Sequence, residues 1–456
     1  MTKIIKNLKF KKFRNKITLK TVVQLYSRIL KPYSKLKFQI NKVDIMNVKV
    51  CSNLKLDLSK SCLLTNFPNF PLDKTVKLNG VGVFDNNGKI LPLISEYLSY
   101  QSKHDKIAYK SADTYGKNLT YFLEYIRNRP DYNNDETDEV FITVPSYVIQ
   151  EYLTFLSRNE KRESSTVRNR DATIRAFIEY LCSPTEDREL LRKDNPYRNG
   201  YLSKAPKRKA IISCTLNDLA VLIQSTDLER ERVLLQFLYD SGLRRSELPR
   251  VTLEHFRNAV NFNSEKFIAC DSDQPIHADY IPLEVKGSKG RGNEIKPRWT
   301  LVSSATIKRI QKYHASPLYK KHARKYVNPA ETPAFFNAEG TPYTPSSINK
   351  LLERVSKRAM KRGHLNRMIS PHKLRHGNAY AILQSNDLGA DYLDRLVIVQ
   401  KNLGHNDLNT TQMYTSIPQD IYNSMCDENG DLLTRAEKMK RLSEQTKLKI
   451  AIRDIK

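Results

Sequence analysis

Between Ile90 and Leu181 apolar side chains return at helical spacing four times over, and this run constrains the fold more than any other part of the chain. Leu93, Tyr97 and Tyr100 open one amphipathic segment, and Tyr115, Leu119, Phe122 and Ile126 make a second. Tyr147, Val148, Tyr152, Phe155 and Leu156 make a third, while Ile174, Phe177, Ile178 and Leu181 end a fourth. Four helices with one apolar stripe each suffice for a compact bundle. The polar stretch from Ser183 to Ser213 then breaks the periodicity, and NPYRNG and KAPKRKA within it read as a basic interdomain linker.

At 456 residues the chain has room for two or three domains. After the linker, TLNDLAVLIQ opens a helix with Thr215 as its N-cap, and ERVLLQFLYDSGL supplies a longer apolar one. Asp279 to Lys286 and Glu294 to Val302 alternate as two strands around a glycine-rich turn. Helices dominate again from Ser304, with SSINKLLERVSKRAM the clearest. A last helix starts at a capping box, Thr434 with Glu437, and its stripe of Leu432, Ala436 and Met439 can dock on its own domain or on a neighbouring protomer. The expected fold class is mainly α with a small β-hairpin in the second domain (α+β).

The region ahead of the bundle is different in kind. Its first fifty residues hold fourteen Lys or Arg and a single acid, Asp44, interleaved with Phe10, Phe13, Tyr26, Tyr33 and Phe38. NFPNFPLD follows as an extended connector, and Asn-Asn-Gly in VGVFDNNGKILPL as a short hairpin. The expected division is 1–88 as a basic extension, 89–183 helical, 184–213 linker, 214–430 the second domain and 431–456 the terminal helix. A formal net charge of +28 and a pI of about 9.7 suggest a polyanionic partner.

Composition also excludes some functions. The six cysteines are scattered, with no CxxC pair, and read as reduced thiols of a cytoplasmic protein. No apolar run reaches the length of a membrane span, and the basic N-terminus lacks the apolar core of a signal peptide. No carboxylate metal site, P-loop or Cys/His cluster is present, so neither metal nor nucleotide cofactor is implied.

The chemistry resides in four short motifs. SGLRRSEL contains Arg244, with Glu247 three residues on and able to orient its guanidinium at what reads as a helix start. PHKLRH puts His372 and Arg375 on one helical face behind Pro371, where both can reach one phosphate. The turn GSKGRGN carries Lys289, whose ammonium can give up a proton in mid-reaction, with Lys286 and Lys296 as competitors. In LGHNDLNTTQMYT, Tyr414 stands nine residues after His405 in a polar stretch. Arginine forks, imidazoles, an ammonium and a phenol together make a set for attacking a phosphodiester. Alone, Tyr414 is one of 24 tyrosines, and each other motif is a common surface feature. Lys204, Lys207, Arg208 and Lys209 in the linker and Arg291 in the turn are the candidate contacts to the DNA backbone.

SGLRRSEL, GSKG, SPHKLRH and LGHNDLNTTQMY occur in this order over roughly Thr215 to Pro418, and the chain resembles the tyrosine recombinases of the phage integrase family. The resemblance implies a helical core-binding domain and a catalytic domain that form a clamp around double-stranded DNA. It makes Arg244, Lys289, His372, Arg375, His405 and Tyr414 the active-site set, with Glu247 in support and no cofactor. It further implies a 3′-phosphotyrosyl intermediate and two recombination sites held by a homotetramer, and it leaves open an accessory directionality protein or a partner recombinase. Integration or excision of a mobile element, in a bacterial or phage-encoded protein at the nucleoid, is the expected function. The chain departs from a minimal version of the fold at Val251 to Tyr280 and in the long turn GSKGRGNE. The alternatives are a catalytically silent DNA-binding protein of the same fold, a type IB topoisomerase-like enzyme and a telomere resolvase.

Overall fold

The computed structural model describes residues 47–57, 75–85, 88–132, 137–185, 188–206, 212–265, 279–289, 295–389, 391–404 and 433–448. The chain divides into two compact units, the main run of the first ending at Arg208 and the second beginning at Lys209.

In the first unit, β1 (Asn47–Asp57) and β2 (Thr75–Phe84) pair antiparallel, from Asn47 opposite Phe84 to Asp57 opposite Thr75. Phe84 bridges to Ile90, and the Leu91 N–H donates to the Val83 carbonyl, so β2 turns directly into α1 (Pro92–Lys103). Asn86 and Asn87, the expected hairpin tip, lie outside the described residues. Proline at the first turn of α1 costs no hydrogen bond, since that N–H has no helical partner in any case. Ser95 and Ser99 of α1 accept from the Val83 and Val81 N–H groups, each at 2.9 Å, which satisfies backbone donors of β2. Helices α2 (Tyr109–Arg127), α3 (Ser146–Arg158) and α4 (Ser164–Leu181) complete the unit, close to the four periodic segments of the sequence. Phe122, Phe141, Tyr152 and Phe177 fill its core together with Val81 and Val83. Thus β2, which the sequence reading places within the basic extension 1–88, shares the core of the helices.

The chain leaving α4 is held to that unit. Buried Asp171 accepts from the Tyr197 hydroxyl at 2.9 Å and from the Ser203 N–H and hydroxyl at 2.8 and 2.7 Å. Lys204, the next residue, is exposed, whereas Lys207, Arg208 and Lys209 lie outside the described residues.

The second unit starts with α5 (Leu216–Gln224), where Thr215 and Asp218 cap each other reciprocally. Helix α6 (Glu229–Ser241) is buried from Glu231 to Ser241 and forms its centre, as a helix apolar around most of its circumference must. Then come α7 (Leu253–Glu265), the antiparallel pair β3 (Tyr280–Lys289) and β4 (Ile295–Ser303), α8 (Ser304–Ala315) and α9 (Pro317–Ala323). Helices α10 (Pro345–Lys361), α11 (Pro371–Leu383), α12 (Tyr392–Leu403) and α13 (Arg435–Gln445) follow. This is the mainly α architecture with a small antiparallel sheet that the sequence implies.

The terminal helix α13 lies against its own unit. Met439 and Leu442 enter the main core, and fully buried Arg435 donates to the Asp240 carboxylate at 2.8 Å. Ser303 supplies two further donors to the same carboxylate, N–H at 2.9 Å and hydroxyl at 2.6 Å. No described helix is long and apolar enough to cross a membrane.

Candidate active site

Helix α6 stops at Gly242, whose left-handed φ of 61° favours glycine. A Cβ at this position would lie 2.6 Å from the Asn378 Oδ1 of α11, so both conformation and space require glycine. The reversal brings Arg244 out of the α6 axis. It does not begin a helix, as the sequence suggests, but a tight turn in which the Glu247 N–H donates to the Arg244 carbonyl at 2.9 Å. Glu247, fully buried, takes the place of a helix as the organiser. Its Oε2 accepts the Arg244 N–H at 2.8 Å and its Oε1 accepts Nη1 of the Arg244 side chain at 2.8 Å. One carboxylate therefore fixes both the backbone and the guanidinium of Arg244.

A second arginine reaches this carboxylate. Arg298 of β4 donates Nη2 to Glu247 Oε2 at 2.7 Å and Nη1 to the carbonyl of Asn402. Burial alone would raise the Glu247 pKa. The charge and hydrogen bond of Arg298, followed by the Arg244 N–H and guanidinium, outweigh burial and hold it below the usual carboxylate range.

Helix α11 opens with Ser370 as N-cap and Pro371 in its first turn, and carries His372 and Arg375. Arg375 is buried, and its two terminal nitrogens donate to the carbonyls of Gly242 and Leu403, each at 2.6 Å. It thus ties the end of α6, from which Arg244 departs, to the end of α12. Asn402 reinforces this junction by accepting from Leu301 N–H at 2.6 Å and Thr300 hydroxyl at 2.8 Å and donating to Asn378 at 3.0 Å. Asn378 in turn donates to the Asp240 carbonyl at 2.7 Å. Helix α12 ends at Gly404 in a left-handed C-cap. His405 follows immediately, but His405 and Tyr414 both lie outside the described residues.

Arg244, Arg245, His372 and Arg375 line one cavity of about 620 Å³, together with Ser370 and Asn349. Three arginines give this cavity an affinity for anions, and planar guanidinium forks suit phosphate oxygens. Partial desolvation, and then the charges of Arg375, Arg244 and Arg245, lower the His372 pKa from 6.5. The ring of His376 lies 4.5 Å from that of His372, and burial lowers its pKa to about 4. Both imidazoles are therefore neutral at neutral pH, and His372 can accept a proton there.

Lys289 is the last residue of β3, opposite Ile295, beside a shift in register between Lys286 and Ser288. Its side chain, that of Lys296 and all of Arg291 lie outside the described residues, while Lys286 is exposed. Among the described residues no group of three or more His, Cys, Asp or Glu is arranged to hold a metal. Arg298 and Asn402 do not stand out in the sequence reading, and strand alternation is the signal that marks Arg298. It shares the buried face of β4 with Thr300 and Val302, while Trp299, the single tryptophan, is 52% exposed.

Residues 214–419 match the model of the phage integrase family. The chain is 25% identical over 343 residues to tyrosine recombinase XerD of Halalkalibacterium halodurans, covering 72% of this chain and 95% of that protein. It is 28% identical to tyrosine recombinase XerC of the same organism, over 66% of this chain and 87% of that one. The crystal structure of XerH site-specific recombinase bound to palindromic difH substrate, a post-cleavage complex, superposes with a TM-score of 0.52 at 16% identity. That match covers 73% of this chain and 94% of that one, and is a likeness of fold. Residues 214–419 thus carry the likeness to the phage integrase family, and the chain is similar to tyrosine recombinases, enzymes that cleave and rejoin DNA strands with neither metal nor ATP.

Proposed function

We propose that this recombinase acts on double-stranded DNA through a 3′-phosphotyrosyl bond to Tyr414, and that it integrates or excises a mobile genetic element. The observation that carries the chemistry is the single cavity lined by Arg244, His372 and Arg375, with Arg375 bonded to the carbonyl of Leu403, two residues before His405. A phosphodiester bound there meets guanidinium donors on its non-bridging oxygens, where charge grows in the transition state. Arg244, Arg375 and His405 stabilise that charge, and Glu247 holds Arg244 in place. The Tyr414 oxygen attacks phosphorus and the bond from phosphorus to the 5′ oxygen breaks. Lys289 protonates that leaving oxygen, and neutral His372 assists removal of the phenol proton. Rejoining reverses these steps with a new 5′ hydroxyl, so the bond energy is kept in the tyrosyl ester.

In the same reading, residues 89–183 are the core-binding domain and 214–430 the catalytic domain, closing as a clamp around the duplex. The linker cations Lys204, Lys207, Arg208 and Lys209, with Arg291, lie along phosphates, and four protomers hold two sites. The protein works in the cytoplasm, on nucleoid DNA. The mobile-element assignment draws on the basic first fifty residues and on the share of the chain, more than a quarter, outside the match to XerD. A second reading, resolution of chromosome dimers, is favoured by the XerC and XerD relatives.

Plasmid substrates separate the two. One carries the DNA that flanks the gene as an excisable segment, and the other carries paired chromosomal dimer-resolution sites. Excision of the flanked segment by the wild-type chain, with none by Tyr414→Phe, is the expected result. Recombination confined to the dimer-resolution sites would establish the second reading instead.

A further inference from the structure

We propose that Arg298 is a positioning residue for strand cleavage, because it holds the Glu247 carboxylate that orients Arg244 and links it to the end of the helix leading to His405. The role presupposes cleavage by Tyr414 as proposed above.

Glu247 has two oxygens and three donors. Arg244 takes Oε1 with its side chain, while its N–H and Arg298 Nη2 share Oε2 at 2.8 and 2.7 Å. Arg298 therefore fixes the rotation of the carboxylate about its own axis. Without it, the carboxylate keeps one partly exposed cation, and Arg244 is drawn inward to neutralise a fully buried charge. The other end of Arg298 matters as much. Its Nη1 donates to the carbonyl of Asn402, which precedes Leu403, whose carbonyl holds Arg375. Arg244 and Arg375 are thus both referenced to one guanidinium, the first through Glu247 and the second through the α12 terminus.

Arg298 is poorly arranged for stability alone. It is 8% exposed, and its Nε has no hydrogen-bond partner among the described residues. A buried guanidinium with an unmet donor is a costly core residue, and apolar replacements of buried ion pairs are often neutral or stabilising. Its position on the inward register of β4 is better explained by the geometry that it imposes. A displacement of about 1 Å at a reacting group can cost roughly a hundredfold in rate.

The test is a single-turnover cleavage assay on a nicked site under saturating DNA, using Arg298→Met, Arg298→Lys, Glu247→Gln and the double variant Arg298→Met/Glu247→Gln. Wild type and Tyr414→Phe are run beside them, and thermal unfolding gives the folded fraction of each. Arg298→Met is expected to slow adduct formation by about 10- to 100-fold per folded molecule with DNA affinity within about twofold. Its rate should also fall off at higher pH on the acid side than that of wild type, because Glu247 loses its strongest stabilising cation. Arg298→Lys should recover part of the rate. The double variant, free of the unpaired carboxylate, should be no slower than Glu247→Gln. If Arg298→Met does not fold, the double variant and Arg298→Lys decide by the same criteria.

A rate per folded molecule equal to wild type, an unshifted acid limb, or a double variant slowed by the product of the single effects would overturn the positioning role. Absence of an adduct with wild type, or an adduct with Tyr414→Phe, would instead overturn the cleavage reading itself.

Discussion

At the scale of single residues, His372 is the group whose protonation state carries most meaning. It stands beside Arg375, Arg244 and Arg245, and partial desolvation and these charges displace its pKa downward from 6.5. A depressed histidine pKa keeps the neutral, proton-accepting form populated to lower pH than an ordinary imidazole. Cleavage is therefore expected to hold its rate as pH falls to 6.5 and to decline only below it, with the limb absent in His372→Asn. Arg245→Ala, which removes one of the three cations, should move the limb upward. A limb centred above 6.5 in the wild type would mean that another group accepts the proton. Much of this level was legible in the sequence, because residue types in motif order carry chemistry without coordinates. Arg244, His372 and Arg375 do converge on one cavity. Arg298 escaped because a lone arginine next to a tryptophan on a short strand reads as the exposed member of the pair. Here the register is opposite, since the tryptophan faces out and the arginine faces in.

At the scale of elements, the four periodic segments were readable because 3.6-residue periodicity is local, and the strand pair because alternation is local as well. The partner of each element was not. Nothing local to Val81 and Val83 says that they complete a helical core, and nothing local to Ser95 and Ser99 says that they bind β2. The same holds for Asp138, which reaches across 44 residues to accept the Ile94 N–H in the first turn of α1 at 2.9 Å. Burial raises its pKa from 3.8 to about 7, against the lowering effect of the Ile94 and Leu93 N–H groups. A folded-state pKa above the unfolded one means that the native unit binds the proton more tightly. The associated stability is fully present below 3.8 and lost as pH rises through about 7. Asp138→Asn keeps an acceptor for Ile94 and removes the titration. Its thermal unfolding should thus be less pH-dependent across that window than the parent's, by up to a few kcal/mol at neutral pH. Equal pH dependence of the two proteins would show that Asp138 is charged without cost.

At the scale of the molecule, two compact units, a net charge of +28 and an arginine-lined cavity in the second unit fit a protein that holds DNA while one phosphate reacts. The basic excess and its concentration in the first fifty residues were plain from sequence, whereas within 184–213, read as a linker, Tyr197 and Ser203 bond to buried Asp171 of the first unit. Which DNA is read was not, since phosphate contacts carry no sequence information. The terminal helix shows the same divide. Its capping box is written in Thr434 and Glu437, but its seat against Asp240 depends on a pairing 195 residues away. The most direct measurement is incubation with a nicked recombination site, followed by proteolysis and mass mapping of the covalent protein–DNA adduct. A single adduct on the peptide containing Tyr414, joined to a 3′ phosphate, leaving a free 5′ hydroxyl and lost in Tyr414→Phe, is the expected result. An adduct on another residue, a 5′ linkage, or cleavage that survives Tyr414→Phe would contradict it.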